Sequence, residues 1–79
     1  MTKVQRILDE GPITFGELAQ QINDGPTRRT LMNWAELGSH CGNGRRVYLE
    51  TIWIGERRRT SLAAYHRFLE KLNQCRDEE

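Results

Sequence analysis

The stretch TFGELAQQINDGPTRRTLMNWAELG, residues 14–38, decides the fold. Thr14, with Glu17 three residues on, forms a capping box, the hydroxyl accepting from a first-turn amide while the carboxylate reaches back. Phe15, Leu18, Ala19 and Ile22 then recur at helical spacing until Asn23-Asp24-Gly25-Pro26 breaks the pattern, which predicts a helix over about 15–22. Thr27 is the next N-cap. Behind it Leu31, Trp34, Ala35 and Leu37 are expected to face inward, and Arg28, Arg29, Met32, Asn33 and Glu36 outward. Gly38 suits the left-handed stop of that helix. Two short helices joined by a tight turn make a helix-turn-helix.

Outward from this unit, Val4, Ile7 and Leu8 form a short apolar stripe on a helix over 2–10, ended by Gly11-Pro12. After the helix-turn-helix comes a loop, SHCGNG, and then the period changes from 3.6 to 2. The β-branched and aromatic run from Val47 to Ile54 predicts a strand, Gly55-Glu56 a two-residue turn, and RRRT the return strand, with the register open by one residue. Ser61 caps a last helix whose apolar face is Leu62, Tyr65, Phe68, Leu69 and Leu72, with Arg67, Glu70 and Lys71 outside and RDEE as a frayed tail. A lone hairpin is marginal in water, so it must pack on the helices, with Trp53 or Ile54 sharing a core with Phe68. The expected fold is mostly α with a small two-stranded β-hairpin, a winged helix-turn-helix. It forms a single domain over 1–79 with its core within about 2–73.

A chain of 79 residues holds one small core, and 37% hydrophobic with 29% charged residues is the balance of a globular unit rather than a disordered tail. No apolar run approaches the roughly 20 residues of a membrane span, so no membrane partner is expected. The first residues are broken by charges, unlike a signal peptide, and the cytoplasm is the expected location. Cys41 and Cys75 are expected to stay unbridged there. His66 and Cys75, nine positions apart, fall on opposite helix faces, and no C-x-x-C spacing is present, so neither a metal nor another cofactor is expected. The net charge of +1 hides an asymmetry, because residues 27–60 carry seven arginines against three glutamates between acidic flanks. That distribution suits a nucleic-acid partner.

TFGELAQQ at 14–21 followed by TLMNWAELG at 30–38 resembles the opening of MerR-type and excisionase-type winged-helix domains. LETIWIGERRRTSLAAYHRFLEKL, at 49–72, is similar to the end of short bacterial proteins known only as an uncharacterised domain. The resemblance implies DNA binding, as a transcription regulator or as an excisionase-like factor that assists a recombinase. NDGP replaces the usual MerR turn, and the long dimerisation helix and effector domain are missing, so small-molecule sensing is not implied.

The DNA-contact candidates follow from the layout. Thr27 and the first amides of the recognition helix would meet a phosphate, Arg28 and Arg29 a guanine edge or phosphate, and Asn33 an adenine edge or phosphate. Arg45 and Arg46 belong to the same basic segment. In a strand Arg57 and Arg59 share a face and Arg58 takes the other. Arg57 and Arg58 near the tip are expected at phosphate or a minor groove, with Arg59 partly structural. Trp34 reads as core, and Trp53, Tyr48 and Tyr65 as packing rather than stacking platforms. Asp9-Glu10 has no evident partner, no nucleophile motif is present, and GNGRR is too short for a phosphate-binding loop, so catalysis is not expected. The alternative is a protein-interaction module of the same fold, binding a partner protein or forming a homodimer through its apolar hairpin or last helix.

Overall fold

A computed structural model describes residues 2–22, 25–42 and 44–77. Helix α1 spans Lys3–Glu10, α2 Phe15–Gln21, α3 Arg28–Glu36 and α4 Leu62–Asp77. The strands are β1 Ser39–Gly42, β2 Arg45–Val47, β3 Ile52–Ile54 and β4 Arg57–Arg59. They pair as two separate antiparallel hairpins, β1–β2 and β3–β4. The expected single hairpin is therefore corrected to two, carried by four helices among the described residues.

Local chemistry explains the helix ends. Thr2 accepts from the Gln5 amide, Thr14 and Glu17 complete their reciprocal capping box, and Thr27 accepts from the Thr30 amide. Gly38 adopts φ 77°, and its amide, like that of Leu37, donates to the Asn33 carbonyl. A β-carbon on Gly38 would lie 3.1 Å from both the Tyr48 ring and the Val47 carbonyl oxygen, so a side chain there would be crowded as well as strained by the positive φ. The NDGP turn falls partly on Asn23 and Asp24, outside the described residues.

The run expected as one strand is interrupted for a non-local reason. The Leu49 amide donates to the Trp34 carbonyl at 3.1 Å and its side chain is buried, which pins the chain against α3 and divides β2 from β3. The presumed SHCGNG loop instead supplies β1, with Cys41 buried in the main core. Cys41 is joined by a disulfide to Cys75 of α4, 34 positions away with a Cα separation of 5.8 Å. The expectation of two unbridged cysteines is thus corrected, because the fold brings β1 beside α4.

The main core comprises Phe15, Leu18, Leu31, Cys41, Leu49, Tyr65, Phe68 and Leu72, with Trp34 packed on it. The Trp34 and Phe68 rings lie 4.9 Å apart, centroid to centroid. A second cluster joins Ile7 of α1, Ile52 of β3 and Ala64 of α4. Ile52 turns inward rather than Trp53 or Ile54, both of which are exposed. With a period of two, burial of Ile52 fixes the face that Trp53 must leave. Leu37 and Leu62 are also exposed, and α1 buries Ile7 but leaves Val4 and Leu8 open. Helix α4 continues to Asp77, through the first half of the segment expected to fray, and Glu78 and Glu79 lie outside the described residues.

An ion-pair network holds the β3–β4 hairpin to the helices. Arg67, expected outside, is partly buried and donates from Nη1 and Nη2 to the Glu10 carboxylate and from Nε and Nη2 to Glu50 Oε1, the Nη2 contact with Glu50 being 2.7 Å. Ser61 donates to Glu10 Oε1 at 2.7 Å while accepting from the Ala64 amide, so one hydroxyl caps α4 and ties it to α1. Glu10 thus has the partner that the sequence did not suggest. The Arg67 guanidinium holds the Glu10 carboxyl below its ordinary range, and the same bonds raise the arginine. Buried Thr60 donates to the Glu50 carbonyl at 2.8 Å and bridges Ile13 through both backbone groups.

Candidate functional site

The β3–β4 register pairs Ile52 with Arg59, Trp53 with Arg58, and Ile54 with Arg57. Gly55, at φ 64°, makes the turn. This hairpin stands beside α3, and the two bound a groove of about 540 Å³ whose floor includes Phe15 and Met32. Helix α3 contributes Arg28, Met32 and Glu36, which four-residue spacing places on one face. The hairpin contributes Trp53, Glu56, Arg57, Arg58 and Arg59. Four arginines from opposite ends of the basic segment therefore meet in one concavity.

Arg58 organises the groove. Its guanidinium lies 5.1 Å from the centroid of the Trp53 ring, and its Nη1 is 3.4 Å from Glu36 Oε1. Its Nε is buried without a hydrogen-bond partner. Arg59, half-buried, donates from Nη1 to the Arg58 carbonyl at 3.1 Å, and Arg57 at the tip is exposed. Against the four arginines stand Glu36 and Glu56, so the groove is net cationic.

The other expected residues lie elsewhere. Thr27 is the α3 cap, its Oγ1 bonded to both the Thr30 amide and the Thr30 hydroxyl. Arg29 and Asn33 are exposed on α3 but do not line the groove. Arg45 and Arg46 lie on β2, in the other hairpin. Arg46 donates from Nη1 to the Leu37 carbonyl at 2.7 Å and approaches His40 Nε2, so it closes the C-terminal end of α3, where a cation is favoured by the helix dipole.

Sequence reasoning missed Trp53, Met32 and Glu36 as groove residues. The spacing of Arg28, Met32 and Glu36 was a usable signal, but the position of Trp53 follows only once Ile52 is known to be the buried strand residue. Among the described residues no group of three histidine, cysteine, aspartate or glutamate side chains could hold a metal ion, and no helix is long and apolar enough to cross a membrane.

Comparison with curated proteins and with solved structures gives no match. A family profile does match, over residues 17–73, a span that runs from within α2 into α4 and includes Arg28, Trp53 and Arg57 to Arg59. On that match the chain belongs to the DUF1580 family, described as a protein of unknown function.

Proposed function

We propose that this chain is a small winged helix-turn-helix DNA-binding protein, with α2 and α3 as the helix-turn-helix and β3–β4 as the wing. It acts as a transcription regulator or as an excisionase-like accessory factor. The observation that carries the reading is the convergence of Arg28 with Arg57, Arg58 and Arg59 on one groove. Arg28 opens α3, where a cation opposes the helix dipole by about 0.3–1 kcal/mol, a cost that a bound phosphate would reverse in sign. Arg29 and Asn33 occupy the exposed surface of α3 available to base edges in a major groove, while the wing arginines take the backbone.

A titration of labelled duplex DNA followed by fluorescence anisotropy tests the reading. If four arginines each neutralise a phosphate, affinity should fall roughly 100-fold between 50 and 200 mM salt, and Arg28→Glu with Arg57→Glu should remove most binding at either concentration. Absence of binding at low salt would exclude the proposal. A second reading, an interaction module for another protein, is favoured by Val4 and Leu8, four positions apart on α1 and both exposed. Partner binding through that face should survive the arginine reversals.

A further inference from the structure

We propose that the groove between α3 and the β3–β4 hairpin takes an unpaired stretch of a DNA strand, with one base stacked on the open face of Trp53. The inference rests on the DNA-binding reading and adds the state of the DNA that the site selects.

Trp53 is the most exposed large apolar side chain among the described residues, at 63%. Unlike the other exposed apolar residues, it is built into a charged concavity: Arg58 lies against its ring, and Glu36 holds Arg58 from across the groove. The ring is thereby ordered before any ligand arrives, which lowers the entropy lost on binding. An indole has little to gain from intact duplex, because paired bases already spend both faces on their neighbours and offer only edges and phosphates. A base released from the stack offers a face, and aromatic stacking beside a cationic track is how single strands are held without regard to sequence.

The surroundings fit a nucleotide rather than a purely apolar guest. The groove volume of about 540 Å³ lies inside the roughly 300–1,000 Å³ range of sites for small molecules. Phe15 and Met32 provide apolar floor, and Arg28 and Arg57 provide cations for the flanking phosphates. The cationic excess selects an anion, and the sugar-phosphate backbone carries one charge per nucleotide. The occupant is therefore single-stranded DNA exposed at a distorted, melted or gapped position.

The full chain can be titrated with a twelve-nucleotide oligo(dT), the matching oligo(U), and a blunt duplex, reading anisotropy and tryptophan emission. Oligo(dT) should bind and quench part of the emission. Trp53→Ala should weaken oligo(dT) binding about 5- to 100-fold, weaken duplex binding by a clearly smaller factor, and leave the thermal midpoint unchanged; Trp53→Phe should retain most of the affinity. Unchanged oligo(dT) affinity in Trp53→Ala would overturn the inference, as would an equal loss on duplex or tighter binding of oligo(U). In each of those cases salt-dependent duplex binding would still support the DNA-binding reading. Failure to bind any of the three nucleic acids would overturn both.

Discussion

Breaking the Cys41–Cys75 bridge is expected to lower the unfolding free energy by about 3–4 kcal/mol, because the cross-link closes a loop of 34 residues that the unfolded chain would otherwise explore. A domain of this size has only about 5–15 kcal/mol to lose, so the change is a large part of its stability. The bridge also fastens β1 to α4, and Cys41 is buried in the main core. Urea unfolding with and without reductant measures the effect, and Cys75→Ala should match the reduced protein. Intact-mass measurement after alkylation should find no free thiol before reduction. An unchanged urea midpoint on reduction would contradict the assignment.

Arg67→Met should cost about 2–4 kcal/mol, since it leaves the partly buried Glu10 carboxylate without its hydrogen-bonded cation and Glu50 with Arg6 alone, at 3.7 Å. The lower part of the range is expected because the three side chains remain 17–25% exposed. Its pH dependence is the more specific signature. Glu10 is held below its ordinary value mainly by its hydrogen bonds to Arg67, so the native protein gains stability from that carboxylate above the unfolded value of about 4.3. The gain is lost as pH falls through the depressed folded value, because protonation removes the charge that Arg67 stabilises. The difference between Arg67→Met and the parent should therefore be largest near neutrality and shrink in acid. A difference that stays constant down to pH 3 would show that Arg67 acts by packing alone.

What could be read from the sequence is what local chemistry determines. The Thr14–Glu17 capping box, the Thr27 and Ser61 caps and the Gly38 stop act within about four residues, and their hydrogen bonds stand as expected. The errors concentrate where distant segments decide. Leu49 is fixed by Trp34, Glu10 by Arg67 57 positions away, and Cys41 by Cys75. None of these pairs leaves a periodic trace. The groove lies between the two cases, because the arginines were conspicuous while their grouping waited on the hairpin register. Once Ile52 joins Ile7 in the core, Trp53 and Arg58 must share the opposite face, and the ordinary packing role expected for Trp53 gives way to an exposed ring beside a guanidinium.

The central claim is that the groove between α3 and the β3–β4 hairpin, and not another surface, receives DNA. Amide chemical-shift mapping during titration with duplex DNA tests it most directly. The largest changes should fall on Arg28, Arg29 and Asn33 of α3 and on residues 53–59 of the hairpin, with small changes at Arg45 and Arg46 and at α1. Changes centred instead on β1–β2, or on Val4 and Leu8, would contradict the account.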